Sequence, residues 1–128
     1  MNRRMVILAC LVAWLALACL AIACRDRESK AIVSTGGVPA AGKKALFERG
    51  CGACHTIPGV PGANALVGPP LDHMASRVYV AGMLTNTPEH LRTFITHPQR
   101  VKPGSAMPEV PLSETEARDV VAYLYTLE

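Results

Sequence analysis

Apolar and polar positions divide the chain into three stretches. Met5 to Cys24 is an uncharged apolar run of twenty residues, long enough at about 1.5 Å per residue to cross a hydrocarbon core about 30 Å thick. Residues 25–40 are charged at first (Arg25 to Lys30), then small (Ser34-Thr35-Gly36-Gly37-Val38-Pro39), and this composition predicts a flexible tether. From residue 41 the pattern becomes that of a folded domain. A first helix is predicted over about 41–50, with Leu46 and Phe47 apolar and Lys43, Lys44, Glu48 and Arg49 polar. A second begins at Thr87-Pro88-Glu89, which places an N-cap, a first-position proline and a first-turn acid in order. Leu91, Phe94 and Ile95 form its apolar stripe, and Pro98 is expected to end it. A third starts with the capping box Ser113-x-x-Glu116 and continues through Ala117, Val120, Val121, Leu124 and Leu127. Strand alternation is lacking, apart from a short extended stretch at Val78-Tyr79-Val80. The fold class is all-α, with three or more helices.

Residues 41–128 make one small domain, near the size at which a hydrophobic core alone becomes marginal. Its aromatic residues are Phe47, Tyr79, Phe94, Tyr123 and Tyr125. A buried planar cofactor would supply the missing apolar area. The net charge of +3 for the whole chain does not describe this domain, which carries eight Lys or Arg and eight Asp or Glu from residue 41 onward. With no basic run, nucleic-acid binding has no support.

Between the helices stands Cys51-Gly52-Ala53-Cys54-His55, the attachment signature of a c-type haem. Two thiols on one turn can reach the two vinyl groups along one porphyrin edge, and the adjoining imidazole then lies beneath the iron. Structural zinc would need four Cys or His ligands, commonly as paired CxxC units. No second pair is present, because Cys10, Cys19 and Cys24 all lie in the apolar run. A thiol–disulfide enzyme would set its CxxC in a βαβ context, which is also missing. The cofactor expected is therefore one covalent haem c, with His55 as an iron ligand.

Two Gly- and Pro-rich segments would shape the haem crevice. Gly68-Pro69-Pro70-Leu71 is rigid, and a carbonyl there can accept the second ring N–H of His55, fixing its tautomer. Lys102-Pro103-Gly104-Ser105-Ala106-Met107-Pro108 presents Met107 on a constrained loop just before the last helix, which makes it the expected sixth ligand. Met74 and Met83 read as gap-fillers, and His73, His90 and His97 as surface or crevice-edge residues. A bis-histidine site is the competing arrangement. Met/His ligation raises the potential and leaves no open coordination position, which points to electron transfer and away from oxygen chemistry.

The apolar run, preceded by Asn2-Arg3-Arg4, is a secretory signal or a membrane anchor. A twin-arginine reading is set aside, since c-type haem is attached outside the cytoplasm to a chain exported unfolded. Leu20-Ala21-Ile22-Ala23-Cys24 resembles a bacterial lipobox, imperfect at Ala21, with a rival site ending at Cys19. Cleavage before Cys24 would discard Cys10 and Cys19, lipidate Cys24 and leave no free thiol. Lipidation is thus preferred to an uncleaved span, and either would tether the domain to the periplasmic side of the inner membrane. The organisation expected is 1–24 signal or anchor, 25–40 tether and 41–128 haem domain.

With these residues in hand, the domain resembles class I c-type cytochromes over essentially all of 41–128. The likeness rests on Phe47 four residues before Cys51, Gly68-Pro69-x-Leu71, Arg77, Leu91-x-x-Phe94-Ile95-x-x-Pro98, Pro103-Gly104-x-x-Met107 and Ala122-Tyr123-Leu124. It implies the small cytochrome c fold wrapped around haem. In that fold the Pro69 carbonyl receives the histidine proton, Arg77 and Ser105 lie near the propionates, and Tyr123 packs against Phe47. Leu71 and Phe94 join the haem-binding residues, although the family usually has Trp or Tyr in place of Phe94. Gly42 falls one residue early against the family's helix glycine. Ala75-Ser76-Arg77, Asn86-Thr87-Pro88-Glu89 and Pro98-x-x-x-Lys102-Pro103-Gly104 bring the likeness closer to the haem-c domain fused to subunit II of bacterial haem–copper oxidases. The copper-binding part of such a subunit is not in this sequence.

The resulting expectation is a membrane-tethered, periplasmic monohaem cytochrome that passes single electrons between redox proteins of a respiratory chain, and is not itself an enzyme. Its donor and acceptor are protein partners, a terminal oxidase among them. The alternatives are a haem subunit fixed in an oxidase or dehydrogenase complex, or a peroxidase or gas-binding haem protein should Met107 dissociate.

Overall fold

A computed structural model describes residues 3–128, with side chains from Met5 onward. The positive start at Asn2-Arg3-Arg4 therefore lies outside the described side chains. Helix α1 spans Arg3–Thr35, and its apolar part is long enough to cross a membrane. Residues 25–35, expected to be flexible, continue this helix without a break. Arg, Glu, Lys and Ala in this segment are good helix formers, and Ala31 is buried at 2% exposure, so packing completes what propensity begins.

Helix α2 spans Pro39–Glu48, starting and stopping two residues before the predicted bounds. Proline at its first position loses nothing, because that N–H would have no helical partner. Gly50 adopts φ +71° just after the helix, a left-handed conformation that costs other residues more, and the chain turns there toward Cys51. The remaining helices are α3 (Pro88–Thr96), α4 (Pro98–Val101) and α5 (Glu114–Leu124). Pro98 ends α3 as expected but also opens α4, a single turn not foreseen. Strands β1 (Tyr79–Val80) and β2 (Leu84–Thr85) form a two-residue antiparallel pair, with Tyr79 opposite Thr85 and Val80 opposite Leu84. The fold remains all-α in substance.

Helices α2 and α5 cross at Gly42. A Cβ there would fall 1.8 Å from the Asp119 carbonyl oxygen and 2.9 Å from the Val120 nitrogen, so only glycine lets the two backbones meet. The offset of Gly42 from the family position therefore does not remove it from the crossing. Around this contact the core gathers Leu46, Ile57, Val120, Val121 and Leu124, with Leu91 and Ile95 from α3. Asp119 is buried beside these apolar residues, and its Oδ1 accepts the Val38 N–H at 2.7 Å. A carboxylate at the entrance of α2 also complements that helix's dipole.

Both predicted caps form. Thr87 accepts from His90 N at 3.2 Å. In the capping box, Glu116 N donates to Ser113 Oγ at 3.2 Å and Ser113 N donates to Glu116 Oε2 at 2.9 Å. Glu116 also accepts from Arg49 Nε at 3.1 Å, tying the end of α2 to the start of α5. The Arg49 hydrogen bond, followed by those of Ser113, lowers the Glu116 carboxyl from the ordinary 4.5 to about 2. A carboxyl depressed on folding stabilises the native state above its unfolded pKa, and the gain disappears as pH falls through the folded value. Between about pH 4.5 and 2 the wild type should therefore lose stability that a Glu116→Gln variant does not lose. Glutamine keeps the capping box, so denaturation midpoints followed over that window isolate the charge pair.

Candidate functional site

The Cys51–Ala53 segment is one 3-10 turn, closed by Cys54 N donating to Cys51 O at 3.2 Å and His55 N to the same oxygen at 3.0 Å. Both thiols are unpaired and half-buried. Burial pushes the Cys51 thiol above its ordinary value, the opposite of the low pKa that an exchange nucleophile needs. Among the described residues no three His, Cys, Asp or Glu side chains converge as a metal cluster would require. Neither the thiol-exchange nor the zinc reading gains support.

His55 is held from one side. Its Nδ1 lies 2.7 Å from the Pro69 carbonyl oxygen, so the Nδ1–H donates there and Nε2 keeps its lone pair for a metal. A strap of backbone bonds fixes that acceptor: Gly68 N donates to Cys54 O at 2.7 Å and Leu71 N to Thr56 O at 2.8 Å. The Gly68 backbone packs so near the imidazole that a Cβ would come within 2.5 Å of its Cε1. Arg77 Nη2 donates to the carbonyls of Pro70 at 2.6 Å and Asp72 at 2.8 Å. Arg77, expected near a propionate, thus also braces the strap that orients His55.

Met107 sits half-buried on a stapled loop. Its N–H donates to Ser105 Oγ at 3.2 Å. Gln99 Nε2 donates to the carbonyls of Ser105 at 2.7 Å and Met107 at 3.0 Å, while Gly104 N donates to Gln99 Oε1 at 3.2 Å. Gln99 was not singled out from the sequence. Its one signal is a long amide side chain in the turn between Pro98 and the Pro-Gly loop. Replacing it with alanine should cost about 1–3 kcal/mol for the lost hydrogen bonds. The denaturation midpoint, followed by the helical signal, should fall by a corresponding amount.

Asn86 was quoted from the sequence as part of a motif, but not for what its side chain does. Its Nδ2 donates to Met74 O at 2.7 Å and Arg77 O at 2.9 Å, and Tyr125 OH donates to its Oδ1 at 3.3 Å. It joins the Arg77 segment to the last helix. Met74 fills the core as expected, at 4% exposure, but Met83 does not: it is 59% exposed beside the small strand pair. His73 and His97 lie on the surface, and His90 Nδ1 is engaged with Thr85 O at 2.8 Å. Tyr123 OH donates to Pro58 O at 2.7 Å, while Phe47, its expected packing partner, is 59% exposed in a shallow hollow beside Gly52 and Ala53.

These residues fit a covalent haem. The free Nε2 of His55, two unpaired thiols on the same turn and a thioether on a braced loop are a suitable donor set. Leu71 and Phe94 pack against the core yet keep part of their apolar surface uncovered, as side chains lining a flat apolar group would.

Residues 39–128 match the family described as Cytochrome c. The chain belongs to the cytochrome c family. Covalent haem c is characteristic of that family, whose members carry electrons and are not catalysts. This cytochrome c is also 34% identical over 88 residues to cytochrome c oxidase subunit 2 of Alkalihalophilus pseudofirmus. The match covers 68% of this chain and 25% of that protein, so the chain corresponds to about a quarter of the relative's length. No solved structure matches significantly.

Proposed function

We propose that this cytochrome c is the haem-bearing module of a membrane-bound respiratory oxidase, relaying single electrons on the periplasmic face of the inner membrane. The observation that carries the reading is its likeness, over 88 residues, to a cytochrome c oxidase subunit 2. When bound, haem c supplies a one-electron iron couple whose potential the surrounding protein tunes. Cys51 and Cys54 would hold it as thioethers, and His55 Nε2 would ligate its iron. The Pro69 carbonyl accepts the hydrogen bond from Nδ1–H and so leaves the Nε2 lone pair available to a metal. Met107 would be the second iron ligand, with Ser105 and Gln99 holding its backbone. Leu71 and Phe94 would exclude water from the crevice, and Arg77 and Ser105 would lie near the propionates. With His55 and Met107 both kept as ligands, little reorganisation would accompany electron transfer. The thioether edge beside Ala53 is the point of electron exchange.

Mild solubilisation of native membranes followed by single-turnover mixing tests the oxidase assignment. The chain should co-purify with an oxidase, and its reduced haem should be reoxidised at least as fast as the oxidase turns over. If it purifies alone, and oxidase turnover is equal in membranes lacking it, the oxidase reading fails and a carrier between other partners takes its place.

A further inference from the structure

Helix α1 does not stop where the apolar run stops. Cys24 lies within it, and eleven helical residues follow to Thr35. No turn or breaker interrupts the helix at Cys24. Beyond it, α1 is joined to the domain at several points. Arg27 Nε lies 3.0 Å from Glu128 Oε2, Ala31 is buried, and Thr35 Oγ1 accepts the Gly37 N–H at 3.2 Å. Gly37 then lies against α5, where a Cβ would fall 2.4 Å from the Arg118 carbonyl oxygen. Val38 N is bonded to the buried Asp119, so the link from α1 to α2 is itself clamped.

The order of these contacts gives a direction. Arg27 meets Glu128, Gly37 meets Arg118, Gly42 meets Asp119 and Arg49 meets Glu116. The chain thus enters beside the residues that follow α5, passes its middle at Gly37 and Gly42, and leaves beside its first turn at Arg49. Cys51 follows directly, on the side of the domain remote from the point where α1 leaves its apolar run. At about 1.5 Å per helical residue, the part of α5 from Glu116 to Leu124 alone spans roughly 12 Å.

We propose that α1 remains uncleaved, crosses the membrane and continues as a rigid post that holds the haem-attachment turn at a fixed height and orientation above the bilayer. The inference rests on the haem-module reading above and adds a constraint on partners. A free sixteen-residue tether would let the domain wander over roughly 20–25 Å. A post removes that freedom, so the redox group that meets this haem must be presented at matching height by a protein held in the same membrane.

The test is angle-resolved electron paramagnetic resonance of the full-length ferric protein in oriented bilayers, with the intact mass measured on the same sample. The wild type should give haem signals that change strongly with sample angle, and a mass that retains the residues before Cys24. A six-residue Gly/Ser insertion between Ser29 and Lys30 should leave the haem absorbance spectrum unchanged while erasing the angular dependence. An isotropic wild type, an insertion variant as ordered as the wild type, or a mature chain beginning at lipidated Cys24 would each overturn the post. Loss of the haem spectrum itself would instead refute the haem-module reading, so the two failures are distinguishable.

Discussion

Met107→Ala should abolish the sulfur-to-iron charge-transfer band of the ferric protein and lower its reduction potential by on the order of a few hundred mV. Axial ligands span about 0.8 V among haem proteins, and a thioether opposite histidine favours the ferrous state by its softness. Alanine leaves the loop backbone intact, because Gln99 and Ser105 bond main-chain atoms of the loop and not the Met107 sulfur. The substitution therefore removes the thioether with little disturbance of its loop. The exposed Met83 is the matched control, and Met83→Ala should leave both the band and the potential unchanged. A Met107→Ala spectrum identical to wild type would place the sixth ligand elsewhere, on His73, His90 or His97.

Gly42→Ala should prevent a stable domain from accumulating. A Cβ at that position would lie 1.8 Å from the Asp119 carbonyl oxygen, and because that atom is backbone, only separation of α2 from α5 relieves the clash. Overpacking in a core costs about 1–3 kcal/mol where side chains can adjust, and more where they cannot. Domains of this kind have only about 5–15 kcal/mol in total. Separation would also shift Val38 from Asp119 and Arg49 from Glu116, contacts that depend on the same crossing. The expected readout is a severalfold fall in haem-loaded protein and a depressed thermal midpoint in whatever remains. A yield and midpoint equal to wild type would mean that the helices do not cross at Gly42.

The haem turn and the caps at Thr87 and Ser113 were legible in the sequence because each is a local pattern of fixed spacing, whereas Pro69 as the acceptor came from the family resemblance. Cys51, Cys54 and His55 fall within one turn, and a capping box needs only residues three apart. What escaped was set by contacts between distant segments. Residues 25–35 have the polar composition of a tether, yet burial of Ala31 and the ion pair of Arg27 with Glu128 keep them helical. Asp119 was not singled out from the sequence, and only the approach of Val38 gives its buried carboxylate a role. Gln99 and Asn86 act through side-chain bonds to backbone carbonyls, which leave no periodic trace. Met83 was placed inside on residue type alone, whereas its position beside a two-residue strand pair leaves it in solvent.

Mass spectrometry of the protein purified from its own envelope tests the central claim most directly. A peptide covering residues 51–55 should carry one iron porphyrin joined through both sulfurs. If that peptide is recovered with Cys51 and Cys54 unmodified, no haem is attached to this chain and the electron-transfer account is contradicted.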